Sequence, residues 1–259
     1  MQTSFIHQRM KWIDGWYPII LDRSILPNVP QLIEKRNGEF CIAFNFEPRL
    51  IAEICYHGYM PMGETIMAQP CLLIKSHEHR CLLDLPHLHV SRKLKRYARD
   101  LTFQINRNFT ACLDRITENH VQSWLIEPLR AAFTYLHHHP ISGVAFHSIE
   151  IYNGEHLVAG EIGYTTRAIY SRLSGFHSQN GAGSVQLALL GRVLAESQFA
   201  CWDLGMEIPY KIALGADVIG REAFLSQWKN HRDLPTPCWA TQYLSPPEAI
   251  GRLASKSQA

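Results

Sequence analysis

Along this chain the apolar residues shift between strand-like and helix-like spacing, and each shift marks an element. Residues 1–38 are the exception: turn formers (Asp14-Gly15, Pro27, Pro30, Asn37-Gly38) interrupt short apolar runs and no element stands out. A helix is expected over 48–57, opened by Pro48 and stopped at Gly58, followed by a turn-like Met60-Pro61-Met62-Gly63. Strands are expected near 71–75 and 80–84. The segment Asp84-Leu85-Pro86 then reads as a boundary, dividing a small N-terminal α/β domain over 1–85 from a larger one over 86–259.

The second part alternates helices with strands. Helices are predicted at 92–99, 108–117, 126–138, 184–197, 209–214 and 221–230. Strands are predicted at 101–105, 144–152, 156–166, 168–174, 199–202 and 238–244. Asn153-Gly154 between two apolar runs is the strongest hairpin signal, because a tight two-residue turn needs positive φ. Hairpins mixed with crossover helices suit an α/β or α+β sheet. There is no internal repeat, low-complexity tract or heptad run to suggest a scaffold or fibre.

With 259 residues, 46% of them apolar, the chain can bury a real core. No apolar stretch approaches a bilayer span, and the first residues lack a signal-peptide core, so no membrane partner is expected. Seven cysteines without a C-x-x-C pair suggest free thiols and a cytoplasmic protein. A net charge of +2 means that any polyanion must meet a local patch. Arg92, Lys93, Lys95, Arg96 and Arg99 supply one behind the candidate N-cap Ser91. Cations at a helix start oppose the macrodipole, so folding alone does not call for them; phosphate binding and a merely solvated face both remain open.

Asp203 is the leading candidate for chemistry. It stands where an apolar run, Phe199 to Trp202, gives way to Gly205 and a short helix opened by Pro209 and closed by Leu214-Gly215. A carboxylate on a strand end can orient an amine or act as a base, and it can equally be a structural cap. His77, His79, His87 and His89 alternate as strand chelators would, but no cysteine is spaced to join them and no metal is called for. There is no G-x-S-x-G elbow, and the Gly-rich Gln179 to Gly183 lacks a basic residue for a cofactor phosphate, so no cofactor is called for either.

From Asn45 to Glu248 the chain resembles the leucyl/phenylalanyl-tRNA–protein transferases. His89-Val-Ser-Arg-Lys-Leu-Lys-Arg96 is similar to the family's HISRSxKR, His147 to Tyr152 to its HSIEVW, and Leu157 to Gly160 to its LVGG. Asp203 with Leu214-Gly215-Ala216 repeats the Asp-to-LGA spacing, and Leu234-Pro235, Trp239 and Ser245-Pro246 follow the closing pattern. The resemblance implies an N-acetyltransferase-like (GNAT) C-terminal domain that moves an amino acid from aminoacyl-tRNA to the N-terminal amine of an acceptor protein or peptide. It implies that Trp124 faces the adenosine of the tRNA acceptor end, and that Asp203 orients the attacking amine; because the family's glutamine is absent here, Glu150 and Glu207 are candidates to assist. Tyr170 and Phe176 are core residues by type that can also form a platform for an amino acid or adenine.

The departures from the family fall in the active centre. Glu161 stands where the family has an apolar pocket methionine, Leu173 where it has a glutamate, and Gly205 where it has a glutamine. A carboxylate in an apolar pocket needs a cation or donors. Glu161 is therefore expected either to hold a polar substrate group, shifting specificity away from leucine and phenylalanine, or to be neutralised by Arg167 or Arg172. Two alternatives to amino acid transfer stay open: a coenzyme-A-dependent acyltransferase of the same fold, and a non-catalytic RNA-binding or adaptor protein.

Overall fold

The computed structural model describes residues 17–34, 38–119, 124–239, 246–248 and 250, and they form two sheets. The smaller is antiparallel with order β1-β3-β2, from β1 (Phe40–Ala43), β2 (Met60–Ile66) and β3 (Gln69–Lys75). α1 (Val29–Glu34) precedes its first strand and α2 (Pro48–Tyr56) its second. The larger sheet has the order β10-β4-β9-β8-β7-β6-β5. Its strands are β4 (His79–Leu83), β5 (Leu101–Ile105), β6 (Val144–Asn153), β7 (His156–Thr166), β8 (Ile169–His177), β9 (Cys201–Gly205) and β10 (Asp217–Gly220). The remaining helices are α3 (Leu94–Tyr97), α4 (Phe109–Glu118), α5 (Glu127–His138), α6 (Ala182–Glu196), α7 (Pro209–Ala213) and α8 (Arg221–His231). The fold is mixed α/β, as the alternation of elements predicts.

Several expectations are corrected. Met60 to Gly63 is not a turn but the start of β2. Pro61 is tolerated because β2 is an edge strand, and Gly63 is there for close approach: an added Cβ would lie 2.5 Å from Ile126 Cγ1. The Gly63 amide donates to the Trp124 carbonyl at 2.8 Å, so this contact fixes the segment that carries Trp124. The helix expected over 92–99 shrinks to a single regular turn, Leu94–Tyr97, flanked by irregular turns, in keeping with the adverse charges at its start. The strand expected at 238–244 lies mostly outside the described residues, and 238–239 carry no strand.

β4 precedes the boundary expected after residue 85. β4 belongs to the large sheet, between β10 and β9. One hydrophobic core joins Leu72 and Ile74 of the small sheet to Phe133 of α5 and to Phe146 and Ile162 of the large sheet. A second core packs Leu190 and Leu194 of α6 against Trp202 and Tyr170 on the opposite face. Fully burying side chains of this size contributes about 1.5–3 kcal/mol each, so both faces of the sheet are tied down.

One irregularity of the large sheet prepares the site. All its pairings are antiparallel except β8 with β9, a parallel pair that requires a crossover, which α6 supplies. This pairing covers only Ile169↔Cys201, Tyr170↔Trp202 and Ser171↔Asp203, although β8 continues to His177 and β9 to Gly205. Beyond Ser171 and Asp203 the two strands part.

Candidate functional site

A cavity of about 810 Å³ occupies this split, within the range of roughly 300–1,000 Å³ usual for small-molecule sites. One wall is the free half of β8 from Arg172 to His177, including Leu173 and Phe176. The opposite wall is Leu204, Gly205 and the loop after them, continued by Tyr210 and Lys211 of α7. Gly183, Ser184 and Gln186 bring the start of α6 to the cavity, and the N-terminal end of a helix suits an electron-rich group. Met60, Met62, Trp124 and His77 line it from the side of the small sheet.

Leu94 and Tyr97 of α3 also line the cavity, so the turn that carries the cationic segment borders it. Arg92, Lys93, Lys95, Arg96 and Arg99 are all exposed. Ser91 Oγ accepts from the Lys93 amide at 3.3 Å, and the Arg96 guanidinium lies 4.7 Å over the Tyr97 ring. Among the substrate-binding candidates, Trp124, Leu173 and Phe176 are therefore brought together around one space.

The acidic candidates are arranged otherwise. Asp203 is fully buried, where β8 and β9 still pair, and is not part of the cavity wall. Arg80 grips both of its oxygens, with Nε donating to Oδ1 at 3.2 Å and a second, shorter contact from Nη2 to Oδ2. Ser171 Oγ donates to Oδ2 at 2.8 Å and the Gly205 amide to Oδ1 at 2.9 Å. With its lone pairs engaged in this way, Asp203 locks β4, β8 and β9 together at the floor of the split; it is poorly placed to accept a substrate proton.

Glu150 is corrected as an assisting acid. It is fully buried away from the cavity wall, accepting from the Asn108 amide at 2.8 Å, Ser148 Oγ at 2.7 Å and Tyr152 Oη at 2.7 Å, so it fastens the start of α4 to β6. Glu207 is exposed in the loop after β9 and is not itself on the wall, although its neighbours Met206 and Ile208 are.

Glu161 is corrected as a pocket residue. It is fully buried behind Arg172, whose Nε donates to Glu161 Oε2 at 2.6 Å, while Tyr170 Oη donates to Oε1 at 3.0 Å. Gly175 makes room for this pair, since a Cβ there would lie 2.6 Å from Arg172 Nη2. Tyr170 is buried with its ring edge-on to Trp202 and Trp239, so it is a core residue and not an exposed platform. Of the two readings open for Glu161, neutralisation by Arg172 is the one the geometry supports.

Lys211 and Gln186, which sequence reasoning passed over, line the cavity together with His77, which it weighed only as a metal ligand. Lys211 is buried, its Nζ donating to the Met206 carbonyl at 2.7 Å. Burial, then the positive charge of Arg172, lowers its amine to a pKa of about 8. Gln186 and His77 are 2% and 5% exposed, and the Nε2 of each lacks a hydrogen-bond partner among the described residues. Burial followed by Arg80 lowers His77 to about 3, so its ring is neutral at physiological pH. The only prior hint was that Lys211 falls in the short helix after Asp203.

The groups that act on Lys211 are Arg172 on β8, Arg80 and Cys81 on β4, and Asp203 on β9. Its folded-state pKa lies below that of a free lysine, so between about pH 8 and 10.4 the unfolded chain binds the extra proton. Stability of the wild type relative to a Lys211→Met variant should therefore rise across that window and be flat below it. Paired denaturant titrations from pH 7 to 10.5 check this.

A pocket of this size at the split of a mixed α/β sheet, with an exposed cationic segment on a turn that borders it, is a site for a small molecule or a small part of a larger one. The chain belongs to the leucyl/phenylalanyl-tRNA protein transferase family, whose model matches residues 82–229, more than half its length. It is 29% identical over 212 residues to the leucyl/phenylalanyl-tRNA–protein transferase of Pseudomonas paraeruginosa, covering 80% of this chain and 91% of that protein. To the protein of the same name from Tolumonas auensis it is 28% identical over 236 residues, covering 87% and 97%. Among solved structures, a GCN5-related N-acetyltransferase from Anabaena variabilis overlays with a TM-score of 0.37 at 13% identity, covering 75% of this chain and 46% of that one. The C-terminal domain of a putative lysylphosphatidylglycerol synthetase from Agrobacterium fabrum gives 0.32 at 13% identity, covering 84% and 70%. Both overlays are slight, and the fold rests on the sheet itself.

Proposed function

We propose that this protein transfers an aminoacyl group from tRNA to the N-terminal amine of a protein or peptide, with the reaction held in the split between β8 and β9. The observation that carries the reading is the shared use of α3: Leu94 and Tyr97 line the cavity while the cations around them face outward. A tRNA whose phosphates lie on this segment has its aminoacylated end at the mouth of the cavity. Family membership and the names of the relatives agree with this.

The chemistry asks for positioning more than for a strong base. The amine nitrogen forms a bond to the ester carbonyl carbon, the bond from that carbon to the ribose oxygen breaks, and the amine proton ends on the released oxygen. An α-amine has a pKa of about 7.7–8.0, so a useful fraction is neutral at pH 7. Holding amine and ester together removes much of the entropic barrier. Donors on the wall, including the first amides of α6, suit the negative charge that develops on the carbonyl oxygen. Asp203 serves this arrangement by fixing the floor of the split, and Trp124 offers an apolar face for the terminal base.

Reversing Lys95 and Arg99 to glutamate tests the docking. Both are exposed, so stability should be nearly unchanged. Affinity for tRNA should fall whatever its sequence, and the log-log salt slope should flatten by roughly 1.5 units for two lost contacts. Unchanged affinity at low salt, measured by filter binding, would contradict the docking.

A further inference from the structure

The charges around the cavity balance in pairs, with one left over. Arg80 is matched by Asp203 and Arg172 by Glu161, each carboxylate also holding neutral donors. Lys211 has only the Met206 carbonyl and a distant Tyr210 ring among the described residues, and no carboxylate within ion-pair distance. Its ammonium sits at the split: a Cβ on Gly205 would lie 3.8 Å from Lys211 Nζ. Gly205 has φ of 80°, a backbone that disfavours any longer side chain, so the ammonium occupies ground that no residue at position 205 contests.

A buried, largely desolvated ammonium beside two arginines is costly to keep unless something negative meets it. Gln186 and His77, each nine-tenths or more buried, line the same cavity, and the Nε2 of each has no hydrogen-bond partner among the described residues. Buried polar nitrogens are nearly always satisfied, so an unsatisfied pair with a spare cation describes half of a recognition site. The missing half has to bring acceptors and negative charge.

We propose that the cavity selects a substrate residue bearing a side-chain carboxylate, read by Lys211 as the specificity-determining residue. This rests on the transfer reading above and narrows it. The carboxylate has two possible sources, the aminoacyl group on the tRNA or the first residue of the acceptor. In either position an acidic residue is favoured over its amide counterpart, which has the same shape without the charge, and over a large apolar residue, which leaves the ammonium unmatched.

The test uses the full chain in two measurements. The first is titration calorimetry with glutamic acid α-amide and glutamine α-amide, which needs no turnover. The acid should bind at least tenfold tighter to wild type and to Lys211→Arg, and the two should bind alike to Lys211→Met. Equal binding of acid and amide to wild type, or a preference that survives in Lys211→Met, overturns the proposal. The second measures transfer rates with tRNAs charged with Asp, Asn, Glu, Gln or Leu, each offered peptides beginning with Asp, Asn or Leu. A tenfold or greater acid-over-amide ratio on the tRNA side assigns the carboxylate to the aminoacyl group; the same ratio on the peptide side assigns it to the acceptor. Efficient transfer with no such ratio on either side overturns the specificity proposal alone. No transfer from any charged tRNA to any peptide overturns the function on which it rests.

Discussion

Asp203→Asn is expected to lose stability before it loses chemistry. The substitution leaves the Arg80 guanidinium, 1% exposed, without its counter-charge, and breaking one partner of a buried pair costs about 3–5 kcal/mol. For a chain of this size that lowers the melting temperature by roughly 10 °C. Differential scanning calorimetry checks it. Replacing both partners with apolar residues of similar size, as in Arg80→Met with Asp203→Leu, should recover much of the loss, because the charge left stranded in the single variant is removed. An Asp203→Asn protein that melts normally yet transfers a hundredfold more slowly would restore the carboxylate to the role of proton acceptor.

The second large effect is expected at Glu161 and Arg172. Glu161→Met alone strands a guanidinium that is 15% exposed, and about 3 kcal/mol of stability should go with it. The double variant Glu161→Met with Arg172→Met should be close to wild type in stability, giving a coupling energy of roughly 2–3 kcal/mol in a double-mutant cycle. It should also make the β8 wall apolar. If Glu161→Met alone leaves stability untouched, the pair does not hold β7 to β8 as described.

Much of the architecture was legible because its signals are local. The Asn153-Gly154 hairpin, the proline-opened helices at 48, 128 and 209 and the helix that follows Gly181 depend on a few neighbouring residues each. β2 was hidden because Pro61 and Gly63, turn formers by composition, answer to an edge position and to the approach of Ile126. Its hairpin with β3 turns on Met67 and Ala68, both at positive φ, which nothing in their identities announces. The sheet that β4 joins was hidden for a similar reason: only pairing with β9 and β10 shows where β4 belongs.

The candidate site was legible in part. The cations of 92–99 and the aromatic Trp124 could be picked out by type and by resemblance; Trp124 lines the cavity together with Leu94 and Tyr97 from the turn that carries the cations. The acids could not be sorted, since what a carboxylate does depends on its partners. Asp203 meets Arg80 from 123 positions away, and Glu161 meets an arginine on the next strand. Lys211 and Gln186 were missed because single polar residues in apolar segments carry no pattern, and His77 was weighed only as a metal ligand; burial is what shows that the Nε2 of Gln186 and of His77 lacks a partner among the described residues.

In the proposed reaction the split between β8 and β9 passes an amino acid from tRNA to an amine. The most direct measurement follows radiolabel from a mixed pool of charged tRNAs onto peptides with varied N-termini, with labelled acetyl-coenzyme A supplied in a parallel reaction. Label is expected on the peptide α-amine only from charged tRNA, abolished by ribonuclease and reduced at least tenfold by the Lys95 and Arg99 reversals. Label arriving from acetyl-coenzyme A and none from charged tRNA would contradict the proposed reaction.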